Sequence, residues 1–342
     1  MWIKIYKTLC PINIPIKIGI MKGVFSLSII IIFYVNCFGQ NLKSYTNGTI
    51  QLYYEEFGSG PVIYILSGGP GEAPDHPYRL IIDSLKTDHT CVLVHQRGSG
   101  ASRNIPINDK TITIQNYTED IELLRKKRGD KKIKLLGVSW GGLLAMNYAV
   151  YRPKFVDGLI LVCSAPPSYK VWDVLYDNQY ARRSLAELDS LNMLQNIFST
   201  KTEQELDSLK RANPTCKEVV AYKAFMAIHI RAMYYDRTKI SYTHFDELFT
   251  SFNFQPIPII DKEVVETKWD ITDKLKKLDV PALIVYGRQD DQGESTFYLQ
   301  TESLKNNETH VIEKCGHEIL EEQPEEFFKI LKSYLKKQKK RG

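Results

Sequence analysis

Nothing in the 342 residues has the spacing of a metal cluster, a dinucleotide fingerprint or a phosphate loop, so no cofactor and no metal are implied. Cysteine is sparse. Of six, the four beyond the N-terminal segment are Cys91, Cys163, Cys216 and Cys315, separated by 72, 53 and 99 residues. Those gaps fit neither zinc ligation nor a CxxC motif, and no disulfide framework is implied. Cys91 and Cys163 lie in apolar, strand-like runs and read as core thiols. Repeats, coiled-coil heptads and disorder-prone composition are also absent: 43% apolar and 25% charged residues describe an ordinary globular chain.

The body of the chain also lacks a charge excess. The net +5 resides at the ends. Residues 1–39 hold four lysines and no acid, which leaves 41 basic against 40 acidic residues, and six bases crowd the stretch from Lys332 to Arg341. Without an internal run of Lys and Arg, no nucleic-acid partner is expected.

An apolar run long enough to span a bilayer, about 20 residues, is missing too. What the N-terminus does have is Lys22, the apolar run Val24–Val35, and Cys37-Phe38-Gly39 before Gln40. That is the charge, apolar core and small-residue order of a secretory signal peptide over residues 1–39. Met21 opens a conventional signal by itself, so residues 1–20 read as an over-extended start. The alternatives are an uncleaved N-terminal anchor and a lipidated Cys37, although Tyr34-Val35-Asn36 is a poor context for lipidation. The expectation is an exported protein, periplasmic or secreted, with no stable membrane insertion once the signal is removed.

What remains is strand–helix alternation around a different middle. Thr49–Glu56 alternates and reads as an antiparallel edge strand, whereas Val62–Leu66, Cys91–Val94, Ile133–Leu136, Leu159–Val162 and Ala282–Tyr286 are continuous Val/Ile/Leu-rich runs. Such runs suit strands buried on both faces. Thr118 reads as the cap of a helix with Glu119 and Asp120 in its first turn, Lys126, Lys127 and Arg128 in its last, and Gly129 as its stop. Leu143–Val150 and Pro324–Leu335 are further helices. The order predicts a doubly wound, mostly parallel α/β sheet with helices on both faces. Residues 40–164 and 269–342 form its two parts, and 165–268 form an aromatic-rich helical lid over the carboxyl edge, where α/β folds bind ligands.

The chemistry centres on Gly137-Val138-Ser139-Trp140-Gly141-Gly142. A bare GxSxG arises by chance in about one chain in ten of this length. Its place between a strand and a helix is what singles it out, because a nucleophile on so tight a turn needs flanking residues with little side chain. A serine hydroxyl needs a base held by a carboxylate, and on this fold the order is Ser, acid, His. After the lid only His310 and His317 remain. His310 falls within a strand, so His317, in the loop Cys315-Gly316-His317, is the predicted base. The acid comes from Gly287-Arg288-Gln289-Asp290-Asp291: Asp290, first after the strand end, is preferred, and Asp291 then reads as a solvated loop residue. Oxyanion donors are the backbone N–H groups of Trp140 and of Gly69 in the loop Ser67–Gly71.

These pieces together resemble the proline iminopeptidases and the related tricorn-interacting aminopeptidases over about residues 45–165 and 265–335. The likeness lies in Ser67–Gly71 (family HGGPG), His95–Ser102 (family DQRGxGxS), Gly137–Gly142 (family GxSxGG), Trp269–Asp273, Gly287–Asp290 and Gly316-His317. The resemblance implies an α/β-hydrolase fold with Ser139, Asp290 and His317 as triad and Gly69 and Trp140 as oxyanion donors. It further implies an aminopeptidase, acting on proline or another N-terminal residue of short peptides, whose lid acids bind the substrate amine. Glu218 is similar to one such acid. No second one is evident in Phe252–Ile260, and Glu263 and Glu266, just beyond it, are the possible substitutes. Ser67 stands where the family has histidine and His95 where it has aspartate, so the packing beneath the oxyanion loop is expected to differ. The competing expectation is an esterase or other small-molecule hydrolase on the same triad.

Overall fold

The apolar runs assemble into one eight-stranded sheet in a computed structural model that describes residues 41–339. The expected signal segment, Met21, Cys37 and the last basic residues from Lys340 lie outside the described residues. The strands are β1 (Leu42–Asn47), β2 (Ile50–Phe57), β3 (Val62–Leu66), β4 (Thr90–His95), β5 (Ile133–Val138), β6 (Val156–Val162), β7 (Ala282–Gly287) and β8 (Asn307–Ile312). Their order is β1-β2-β4-β3-β5-β6-β7-β8, with β1–β2 and β2–β4 antiparallel and the rest parallel.

The alternating strand is therefore not the edge. β2 is covered on its outer side by β1, whose sequence, with one buried residue in six, carries too weak a pattern to announce itself. The pairs β1/β2 turn at Gly48, which takes φ +59°.

Among the described residues three helices precede the insertion, namely α1 (His76–Leu85), α2 (Ile114–Arg128) and α3 (Trp140–Tyr151). Six form it: α4 (Val174–Ala181), α5 (Leu185–Phe198), α6 (Glu203–Ala212), α7 (Lys217–Met233), α8 (Tyr242–Ser251) and α9 (Pro256–Glu266). Four follow: α10 (Thr272–Leu275), α11 (Gly293–Ser303), α12 (Ile319–Glu322) and α13 (Pro324–Lys339).

Period-2 alternation in the buried strands divides the core in two. Tyr64, Leu66, Val92 and Leu135 point to the face covered by α2, α3 and α9, whereas Ile63, Ile65, Leu93 and Leu136 meet α1 and α13 on the other. Each fully buried Leu or Ile contributes on the order of 2 kcal/mol. The insertion has its own aromatic core, in which Tyr222 meets Phe198, Phe249 and Phe254 edge-on at 5.1–5.7 Å between ring centres.

The start of α2 differs from expectation. Thr113 caps it, accepting from the Asn116 N–H (3.1 Å), and Thr118 sits a turn inside with its hydroxyl donating to the Ile114 carbonyl. The apolar stripe Ile114, Tyr117, Ile121, Leu124 draws the helix start upstream. Asp120, read as a first-turn acid, is instead buried against Arg97. Gly129 does end the helix, in the left-handed conformation at φ +75°.

Candidate active site

Ser139 occupies the hinge between β5 and α3, at φ +51° and ψ −119°, a strained position for a residue with a side chain. Its backbone is pinned on three sides: its N–H donates to the Val162 carbonyl, and its own carbonyl accepts from Gly142 and Ala165, each at 2.9 Å. The turn tolerates no side chain at Gly141, where a Cβ would fall 2.2 Å from the Leu66 carbonyl oxygen of β3. Gly137 is equally confined, by the Gly141 carbonyl at the same distance. That explains the glycine spacing physically.

His317 lies in the loop between β8 and α12, and its N–H donates to the Met233 carbonyl at the end of α7 (2.8 Å). Its Nδ1 lies 2.8 Å from Asp290 Oδ1. With Asp290 ionised, Nδ1 carries a proton, and in the neutral ring Nε2 is the acceptor. Asp290 is itself fixed by the Gln292 N–H (3.0 Å). Ser139 and His317 line one cavity of about 290 Å³ together with Gly69 and Trp140. The Trp140 N–H is the first of α3 and is not consumed by the helix. No hydrogen bond joins Ser139 to His317 among the described residues, a contact that in unliganded enzymes is often loose until substrate closes it.

This arrangement coincides with a family match. A model of the alpha/beta hydrolase fold matches residues 61–324. The chain belongs to that family. It is similar to the proline iminopeptidase of Saccharolobus solfataricus, 27% identical over 84% of this chain and 89% of that one. It is likewise similar to the proline iminopeptidase of Thermoplasma volcanium, 27% identical over 80% and 88%. Among solved structures, VinJ superposes with a TM-score of 0.68 at 20% identity, over 87% of this chain and 99% of that one. The proline iminopeptidase of Mycobacterium smegmatis does so with 0.64 at 18%, over 87% and 98%. At those identities the superpositions speak for the fold.

The motif around Gln96 holds the loop Ser67–Gly71 to the start of α3. The Gln96 amide donates to the Ser67 carbonyl (2.7 Å) and hydroxyl (3.1 Å), and its oxygen accepts from the Trp140 indole (2.9 Å). Arg97, 2% exposed, forks onto Asp120 with two bonds of 2.6 Å. The two departures from the family pattern are both satisfied. Ser67 donates to the Glu72 carbonyl, and His95 accepts the Ala101 N–H at Nδ1, so its Nε2 donates to Glu55. Asn253, 1% exposed and within the acid-free segment Phe252–Ile260, staples the insertion to the loop. It donates to the Gly98 carbonyl (2.9 Å) through its side chain and to the Gly71 carbonyl (3.0 Å) through its N–H.

Three sequence expectations are corrected. Asp291 is not solvated: it is fully buried, 3.4 Å from His317 Nδ1, and accepts from Gln179 of α4 (2.7 Å). Glu218 is not brought to the cavity, which α7 reaches only from Phe225 onward; its carboxylate lies 3.9 Å from Lys217 instead. Of its substitutes, Glu263 caps α2 by accepting the Ile114 N–H (3.0 Å), and Glu266 is exposed beside Lys262. Cys163 is buried in the core as expected, with its thiol within 4.8 Å of a carboxylate oxygen of Asp290 and a ring nitrogen of His317.

The carboxyls that do face the cavity are Glu72, Glu318 and Asp261. Asp261 is occupied by Trp172 (3.1 Å) and Tyr176 (2.8 Å). Burial pushes Glu72 up to about 7, against the opposing pull of a Tyr78 hydrogen bond and of His317. Burial likewise raises Glu318 to about 8, with His317 opposing and Glu321 and Glu72 reinforcing. For His317, burial disfavours the charged ring, but Asp290 and Asp291 outweigh it and raise the group. Neither glutamate had a motif to flag it; each follows a motif residue, Gly71 or His317, by one position.

Proposed function

We infer that this α/β hydrolase is a serine aminopeptidase that releases the N-terminal residue of short peptides. One observation carries the reading: a hydroxyl on a strained strand–helix turn shares a small cavity with a buried His317–Asp290 pair. In the proposed reaction His317 Nε2 takes the Ser139 proton as Oγ attacks the scissile carbonyl. The Gly69 and Trp140 N–H groups hold the oxyanion, and the protonated ring returns its proton to the departing amine. Water, deprotonated by the same ring, then releases the acyl group and regenerates Ser139. Asp290 keeps the ring in the required tautomer.

Glu72 and Glu318 support an amine-bearing substrate. Both face the cavity that Ser139 lines, and a free α-ammonium would give each a counter-charge within it. The relatives named proline iminopeptidase lend the same direction. The second reading, an esterase, is favoured by the other wall of the cavity, where Phe225, Leu248, Phe249 and Phe252 offer an acyl chain an apolar surface.

Purified protein assayed on aminoacyl naphthylamides, proline included, and on a short-chain nitrophenyl ester separates them. Turnover of the ester with none of any naphthylamide would reject the peptidase.

A further inference from the structure

The loop after β7 buries two adjacent carboxyl groups, and the mechanism above uses one. Asp290 and Asp291 are 5% and 0% exposed, and both reach His317 Nδ1, at 2.8 and 3.4 Å. A lone imidazole N–H cannot satisfy two carboxylates. The remaining oxygens show the shortfall: Asp290 Oδ2 and Asp291 Oδ1 are buried and make no hydrogen bond of ordinary geometry among the described residues, the weak thiol donor of Cys163 beside Asp290 aside. Two ionised carboxylates left so would repel each other across a low-dielectric gap. A single proton between them turns one orphan into a donor and the other into its acceptor, answering both.

The remaining oxygen of Asp291 is held from outside the core. Gln179 of α4 donates to its Oδ2 (2.7 Å), and the next residue back, Asn178, donates to its backbone carbonyl (2.9 Å). Arg183 and His229 continue this polar patch within the insertion, 2.7 Å apart.

We propose that Asp290 and Asp291 form a proton-sharing carboxyl pair behind His317, in which Asp291 is a positioning residue tied to the insertion through Gln179 and Asn178. Asp290 remains the ionised partner of the ring, and Asp291 carries the shared proton at low pH and gives it up before the ring titrates. Losing that shared proton adds a second negative charge beside the imidazole and tightens its hold on its own proton. The insertion thereby bears on the strength of the base through Asp291, in addition to the Met233 carbonyl that holds the His317 backbone N–H.

Charge around the pair is consistent with this order of ionisation. Burial raises Asp291 to about 6, with His317 opposing and Asp290 reinforcing. Asp290 is held below the usual range: burial opposes, but His317 and the Gln292 N–H outweigh it. The other ionisable groups facing the pair and the ring are Cys163 after β6, Tyr286 of β7, Cys315 and Glu318 beside the ring, Glu72 after β3, and Arg183 and His229 of the insertion. Only Arg183 is a standing cation among these, and it donates to the Gln179 oxygen (3.4 Å) rather than to Asp291 itself.

The test is an NMR titration of the His317 ring in histidine-labelled protein, assigned by His317→Gln, in wild type, Asp291→Asn and Gln179→Leu. Asparagine at 291 mimics the protonated acid. The ring's apparent pKa should fall by about one unit or more in Asp291→Asn, and by less, in the same direction, in Gln179→Leu, which favours the protonated Asp291. The acid limb of kcat/KM should move down in pH alongside. Ring titrations within about 0.3 units of wild type in both folded variants would overturn the pair. The inference rests on the hydrolase reading only in its kinetic arm. If a fluorophosphonate fails to label Ser139, that reading fails, while the ring titration still decides the pair. Gln179→Leu leaves the loop after β7 intact and decides the matter alone if Asp291→Asn does not fold.

Discussion

Trp140 and Ser67 are joined through one amide: Gln96 accepts from the Trp140 indole at 2.9 Å and donates to the Ser67 carbonyl at 2.7 Å. The two backbone segments that carry the proposed oxyanion donors are thus held in register by a residue that reaches neither donor.

Replacing Gln96 with Leu removes both bonds at once and strands a buried indole N–H and a buried carbonyl. The expected cost is about 1–3 kcal/mol per stranded group, read as a fall in the denaturant midpoint. Turnover should drop with little change in KM, since loosened donors act on the developing oxyanion rather than on bound substrate.

Ser139→Ala should abolish fluorophosphonate labelling and lower kcat by a factor on the order of 10⁴ or more, with the fold unchanged by circular dichroism. Labelling that persists in this variant would assign the nucleophile elsewhere.

Glu72 gives the pH dependence. Because burial lifts it to about 7, it becomes an anion only as pH rises through that value, whereas a peptide α-amine loses its charge near pH 8. The ratio of aminoacyl-amide to ester hydrolysis should therefore rise through pH 7 and fall above 8, and Glu72→Gln should flatten the rising side. A carboxyl whose folded pKa is raised costs stability as pH climbs from the unfolded value near 4.3 to the folded one. Glu72→Gln should accordingly melt higher than wild type at pH 8 but not at pH 4, measured by differential scanning fluorimetry.

Asp120→Asn breaks a fully buried fork onto Arg97 and leaves the guanidinium without its counter-charge. A loss of about 3–5 kcal/mol is expected, seen as an early urea transition. A double replacement of Arg97 and Asp120 by apolar residues of similar volume should recover part of it.

Much of the sheet could be read from the chain because a strand buried on both faces has no polar positions, as in Ile63–Leu66 and Leu159–Val162. The elbow was equally legible, since its glycines answer a local steric demand visible in Gly137 and Gly141. β1 escaped, having one buried residue, and the start of α2 was misplaced because Thr113 and Thr118 are both acceptable caps until packing chooses.

Chain order alone determined which serine, histidine and acid were candidates and that a helical insertion divides the fold, for these follow from residue type and spacing. Only tertiary structure decided that Asp291 is buried with Asp290 behind His317, and that Glu218 points its charge away from the cavity while Glu72 and Glu318 face it. The physical reason is that burial and charge pairing are made by residues distant in sequence, here Gln179, Tyr78 and His317, whose approach no local pattern encodes.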